Sequence, residues 1–152
     1  MRIEIVSERP DTVAASRLIA ELEAVLDPHY PPASRHGYSV EKLLREGVAF
    51  FVARCDGAES GCCGIQYAGT EYGEVKRMYV RPALRGRGLG RRMLEHLAAH
   101  ASERGVRVLR LETGIHQREA IRLYERFGFV TIPPFGPYRE DPLSRCYQMP
   151  IG

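Results

Sequence analysis

The segment Tyr79-Val80-Arg81-Pro82-Ala83-Leu84-Arg85-Gly86-Arg87-Gly88-Leu89-Gly90-Arg91-Arg92 carries the clearest chemistry in the chain. A strand pattern runs into a proline turn, then glycines alternate with arginines, and an amphipathic helix pattern follows. Between Val75 and Arg92 there are seven basic side chains and no acidic one. Glycines at a helix start let backbone N–H groups converge without Cβ obstruction. Their unpaired donors and the positive end of the helix dipole suit phosphate oxygens. Arginines there add charge-assisted contacts. Two phosphate motifs are excluded by the letters. A P-loop needs Lys-Ser/Thr after its last glycine, where Arg91-Arg92 stand here. The dinucleotide pattern GxGxxG fits Gly86 and Gly88 but meets Arg91 at its third glycine. These residues alone also allow a glycine-rich turn with solvated arginines.

Other reactive side chains read more plainly. His96 and His100 share a helix face, but Glu95 precedes the first histidine, whereas a metalloprotease signature has glutamate after it. They are expected as exposed helix-face histidines, and no metal is expected. Of the four cysteines (Cys55, Cys62, Cys63 and Cys146), the adjacent pair should point to opposite faces of a strand. No CxxC spacing occurs, which predicts reduced thiols in a cytoplasmic protein. The first residues lack a charged leader followed by an apolar core. The longest strongly apolar run, Val48–Ala53, is far short of the ~20 residues a membrane span needs.

These groups must be held by elements that the periodicity predicts. Val13–Leu26 has helical spacing, with Asp11 as N-cap behind Pro10. Asp27–Ser39 reads as a proline-bearing loop before a short helix, Val40–Arg45. Strands are predicted at Val48–Arg54, Gly61–Ala68 and Tyr72–Val80, the last two joined by a turn at Gly69-Thr70-Glu71. Leu89, Met93, Leu97 and Ala101 form one stripe of a helix that stops at Gly105. A strand over Val106–Glu112 follows, then a helix with Ala120, Leu123, Tyr124 and Phe127 on one face, ending at Gly128. A short strand Phe129–Thr131, a loop Pro133–Pro142 and a terminal strand Ser144–Met149 complete the order β-α-α-β-β-β-α-β-α-β-β. Hairpins in the first half and a strand–helix–strand unit after Tyr72 predict an α/β fold with a mixed sheet.

The 152 residues, 44% hydrophobic and 27% charged with a formal charge of +3, exclude a disordered or fibrous chain. One domain spanning residues 1–152 is expected, burying roughly 70% of its unfolded surface. So small a net charge favours anionic ligands only where the positive charge is gathered locally.

Arg85-Gly86-Arg87-Gly88-Leu89-Gly90 after a strand resembles the acetyl-CoA motif, (Gln/Arg)-x-x-Gly-x-(Gly/Ala), of the GCN5-related N-acetyltransferases, the GNAT family. Glu74-Val75-Lys76-Arg77-Met78-Tyr79-Val80-Arg81-Pro82 resembles the family's fourth strand and its exit. Ala120-Ile121-Arg122-Leu123-Tyr124-Glu125-Arg126-Phe127-Gly128-Phe129 resembles its last helix. The resemblance implies a single-domain GNAT-like fold, a mixed sheet of about six to seven strands flanked by about four helices. It implies acetyl-CoA as cosubstrate, with pyrophosphate on the amides from Arg85 to Gly90, Leu89 included. Arg85, Arg87 and Arg91 would add phosphate contacts, and the backbone of Met78, Tyr79 and Val80 would pair with the pantetheine arm. Gln117 stands where members often carry an asparagine that contacts the cofactor arm.

Acetyl transfer needs a neutral amine, a polarised thioester carbonyl and a proton for the leaving thiolate. By resemblance Tyr124 is the acid; its spacing alone would also suit packing. Glu74 is the expected base, with neutralisation by Lys76 as the competing reading and Glu112 as the alternative base. Strand alternation would put Glu74, Lys76, Met78 and Val80 on one face. By the resemblance, His29, Tyr30, Arg35 and His36 after the first helix, with Tyr138 and Arg139 in the late loop, would wall the acceptor site. The expected partner is a small-molecule amine, with no nucleic acid or membrane, and the resemblance allows a homodimer. Two other readings stand beside the transferase: a nucleic-acid-binding module using the arginine turn, and a non-catalytic acetyl-CoA sensor.

Overall fold

Both faces of the strand Ala49–Cys55 are apolar: Phe51, Ala53 and Cys55 alternate with Phe50 and Val52, and all are buried. Such a strand must have layers on each side. In the computed structural model, which describes residues 1–152, it lies within a seven-stranded sheet. The strands are β1 (Ile3–Ser7), β2 (Ala49–Cys55), β3 (Ala58–Ala68), β4 (Tyr72–Val80), β5 (Val108–Gly114), β6 (Val130–Ile132) and β7 (Ser144–Pro150). Their order is β1-β2-β3-β4-β5-β7-β6. Only β4 and β5 pair parallel, as the strand–helix–strand unit after Tyr72 predicts; all other pairs are antiparallel.

The helices α1 (Val13–Leu26) and α2 (Val40–Arg45) cover one face, and α3 (Leu89–Glu103) and α4 (Arg118–Phe127) the other. Leu18, Ile19 and Leu22 of α1 meet Phe50, Val52 and Cys62. Leu89, Met93, Leu97 and Tyr124 meet Phe51, Ile65 and Leu111. Each such buried large apolar side chain contributes about 1.5–3 kcal/mol relative to exposure. Cys62 and Cys63 point to opposite faces as expected, and all four cysteines are free thiols.

Several local expectations shift. The N-cap of α1 is Thr12, whose hydroxyl accepts from the Ala15 amide at 3.1 Å, while Asp11 pairs with Arg9. β3 begins at Ala58 rather than Gly61, because Asp56-Gly57 forms a two-residue hairpin with φ of +51° and +84°. Asp-Gly is a strong signal for such a turn. Gly105, at φ +74°, ends α3, and Val106 donates back to Ala101, so β5 starts two residues later than the periodicity suggests.

The consequential departure lies in β4. Gly64 pairs with Lys76 and Cys62 with Tyr79, so one residue of β3 opposes both Arg77 and Met78. Arg77 is the bulged residue, at φ +52°. The extra residue reverses the alternation. Lys76 faces α1 and α2, with its ammonium over the Tyr38 ring, while Met78 and Val80 pack on the opposite core with Val75. The expected common face of Glu74, Lys76, Met78 and Val80 is therefore broken in two.

Candidate functional site

β4 pairs with β5 only at Gly73–Leu109 and Glu74–Arg110. Beyond those pairs β4 continues to Val80 and β5 to Gly114 without bonding to each other. The parting strands leave the β4 edge at Met78, Tyr79 and Val80 without a strand partner, and the Val80 carbonyl accepts from Arg85 Nε at 3.3 Å. A groove of about 980 Å³ lies on one side of the split, with those three residues, Arg85, Gly86, Gly88, Leu89, Gly90 and Arg91 on its walls. A cavity of about 400 Å³ lies on the other. Met78, Gln117 and Ala120 border both.

Pro82–Leu84 forms one turn of 3₁₀ helix, and the Arg85 amide donates to Pro82 O at 3.3 Å. The run of free donors thus begins one residue later than expected. From Gly86 to Arg91 no amide donates to a backbone carbonyl; the first bond of α3 is Arg92 N to Gly88 O. Gly86 and Gly88, at φ +78° and +79°, hold the turn in a backbone region that side chains rarely adopt. An exposed run of donors at the start of a long helix, beside an open strand edge, fits a diphosphate with an amide-bearing arm.

The arginines are less free than their clustering in sequence implies. Arg77 pairs with Glu23, Arg81 with Glu21, Arg85 with Glu119 and Arg91 with Glu95, while Lys76 pairs with Glu74. Arg87 has no acidic partner within 4.0 Å and is exposed at the turn. The local positive charge is largely balanced by carboxylates, from α1 and α4 as well as from β4 and α3 themselves.

Tyr124 is buried from α4, its ring edge-on to Phe129, and its hydroxyl borders the 400 Å³ cavity without a protein partner. Burial pushes its pKa up, so it holds its proton. Across the cavity, Glu112 extends from β5, and Ser144 Oγ donates to its carboxylate at 2.6 Å. Burial raises the Glu112 pKa; Ser144, His36 and Lys76 oppose that shift and Glu74 adds to it. Ser144 carried no signal in sequence, because its pairing across to β5 depends on the sheet order.

Glu74 is enclosed. Its Oε2 takes the Lys76 ammonium at 2.9 Å and a short hydrogen bond from the Tyr138 hydroxyl, and it is 6% exposed. Lys76 Nζ also donates to Tyr138 Oη at 3.0 Å. The neutralisation weighed against a basic role for Glu74 is the arrangement present.

The loop residues divide in the same way. Tyr30, His36 and Tyr138 border the cavity, with the His36 ring edge-on to Tyr138 at 5.3 Å. The Tyr30 hydroxyl accepts from the His116 amide at 2.9 Å and donates to Gln117 Oε1 at 3.1 Å, so the Gln117 amide oxygen is engaged within the protein. Arg35 borders the cavity too but pairs with Glu23 and Asp27, and Arg139 is exposed outside it. Arg77, unremarked among strand residues, has a buried guanidinium that donates to Tyr38 O at 2.8 Å. His96 and His100 are half-buried against Phe51 rather than exposed, with His100 Nδ1 2.5 Å from Tyr67 Oη.

A family described as Acetyltransferase (GNAT) domain matches residues 46–131. An IAA acetyltransferase of Azospirillum brasilense is 42% identical over 151 residues, 98% of this chain and of that protein. The crystal structure of a candidate acyl-CoA N-acyltransferase from Klebsiella pneumoniae superposes with a TM-score of 0.83 at 35% identity, covering 99% of this chain and 98% of that one. The PaiA N-acetyltransferase of Thermoplasma acidophilum, solved with coenzyme A, gives 0.79 at 19% identity over 99% of each chain, a likeness of fold.

Proposed function

This chain belongs to the GNAT family of N-acetyltransferases, and from that membership we propose acetyl-CoA-dependent transfer directly to the primary amine of a small or amino-acid-like acceptor. The observation that carries this reading is the split between β4 and β5. It sets free amides and open strand edge on one side, and Tyr124 with Glu112 on the other.

The amides of Gly86 to Arg91, with Arg87 beside them, would hold the diphosphate, and Met78 and Val80 the pantetheine arm. Arg85 and Arg91 would join them only by leaving exposed carboxylates, a small cost for surface pairs. Acetyl-CoA supplies a thioester whose C–S bond is exchanged for a C–N bond, the sulfur leaving as thiolate. Tyr124 keeps its proton through burial and delivers it to that sulfur. Glu112, rather than the ion-paired Glu74, accepts a proton from the amine. Its raised pKa makes it a stronger base than an ordinary carboxylate. The proton on Glu112 returns to Tyr124 through solvent, which closes the balance.

Calorimetry with acetyl-CoA and with a duplex oligonucleotide tests the binding half. We expect saturable acetyl-CoA binding and none of the oligonucleotide; the reverse would restore the nucleic-acid reading. Thiol release against a panel of amines tests turnover and separates an enzyme from a sensor. Tyr124→Phe should lower kcat by about a hundredfold with the fold intact. Unchanged turnover would remove Tyr124 as the acid.

A further inference from the structure

The cavity beside Tyr124 and Glu112 is bordered by three cationic side chains, Arg35, Lys76 and Arg77, and each has a carboxylate partner. Lys76 holds Glu74, Arg77 holds Glu23, and Arg35 holds Glu23 and Asp27. Glu112 differs: its only hydrogen-bond partner is the neutral Ser144 hydroxyl, and no cation lies within 4.0 Å. The formal charges of the lining balance, three carboxylates against three cations, but Glu112 is the one carboxylate among them without an ion pair.

We propose that the acceptor is a primary alkylamine without a carboxylate or phosphate, docking as its ammonium against Glu112, which passes the first ammonium proton to solvent to free the amine and takes the second as the C–N bond forms; this rests on the acetyl-transfer reading. An ammonium would give Glu112 the ion pair that Glu23 and Glu74 already have. An acceptor carboxylate would have to break a formed ion pair, or lie near Glu74 and Glu112 with no counter-charge. The walls agree. The Tyr124 and Tyr138 rings and the edge-on His36 offer aromatic surface that favours a cation with an apolar body. At about 400 Å³ the space is near the lower end of the ~300–1,000 Å³ range of small-molecule sites. His36 is the one basic ring here without a carboxylate within 4.0 Å, so it is the group an acidic acceptor would need.

The test is thiol release from acetyl-CoA with matched pairs that differ by one anionic group. Suitable pairs are phenylethylamine and phenylalanine, tyramine and tyrosine, isoamylamine and leucine, agmatine and arginine, and ethanolamine and phosphoethanolamine. Methyl esters of the same amino acids keep the bulk at Cα without the charge. We expect kcat/KM at least tenfold higher for the amine in each productive pair, with the ester closer to the amine than to the acid. Acids equal to or better than their amines would overturn the proposal and leave acetyl transfer standing, and loss of that acid activity in His36→Ala would identify the anchor. If acetyl-CoA binds but no member of the panel or of a wider amine set releases thiol, the transfer reading fails and the proposal with it.

Discussion

The burial that would make Glu112 a base in the proposed transfer costs stability. Its pKa is raised in the folded protein, so the folded state binds more protons than the unfolded state above the ordinary carboxylate range. Stability contributed at this position therefore falls as pH rises through the window from the unfolded value to the raised one, and the penalty is full above it. Glu112→Gln should remove that penalty while still accepting from Ser144. The variant should melt higher than the parent at neutral pH and equal to it in acid. Its kcat should fall by about a hundredfold, and the acid limb of the pH–rate profile, set by the Glu112 carboxyl, should vanish. Thermal scans and rate profiles over the same pH range check both halves. Glu74→Gln leaves the Lys76 ammonium without its carboxylate, so its loss would appear chiefly in stability.

Among the elements, β4 carries most of the functional consequence, and its bulge was not legible. Alternation treats Glu74 to Val80 as a regular strand, and nothing in the letters marks Arg77 as left-handed. Its conformation is over-determined by partners far along the chain: the Tyr38 carbonyl, Glu23, and Gly37, where a Cβ would lie 2.3 Å from the guanidinium. Desolvation lowers the Arg77 pKa to about 10, which still leaves the guanidinium charged at neutral pH. Arg77→Met should destabilise the protein by about 2 kcal/mol through the broken pair and the abandoned carbonyl. It should also weaken acetyl-CoA binding, because the bulge sets the face of Met78 and Val80. Urea midpoints and calorimetric titration separate the two effects. By contrast, α3 and its glycine start were legible almost to the residue, since Gly86, Gly88 and Gly105 all take the positive φ that marks such turns and stops.

Across the whole molecule the two cores leave no cysteine at the surface. Burial raises Cys63 strongly, Cys62 to about 12 and Cys146 to about 11. A thiol reagent should therefore react with the native protein at least tenfold more slowly than with the unfolded chain, in which all four groups titrate. Rapid native labelling would contradict the described packing. No helix is long and apolar enough to cross a membrane. The formal charge of +3 conceals a distribution that composition cannot resolve. Arginines gathered in one segment find Glu21, Glu23, Glu95 and Glu119 around them.

The amino-acid order alone established the α/β class, the parallel unit after Tyr72, the glycine turn at Gly86–Gly90 that opens α3 and the apolar helix face on which Tyr124 lies. These features follow from local rules, namely periodicity, turn chemistry and unpaired helix-start amides, which act within a few residues. The side of β4 on which Lys76 and Met78 lie, and the carboxylate left without a cation, emerged only when the chain closed on itself. An ion pair, buried hydrogen bonds and a bulge are set by residues tens of positions apart: Arg77 by Glu23, Tyr138 by Glu74, Ser144 by Glu112. Charges choose their partners by distance in space, and sequence separation does not encode that distance.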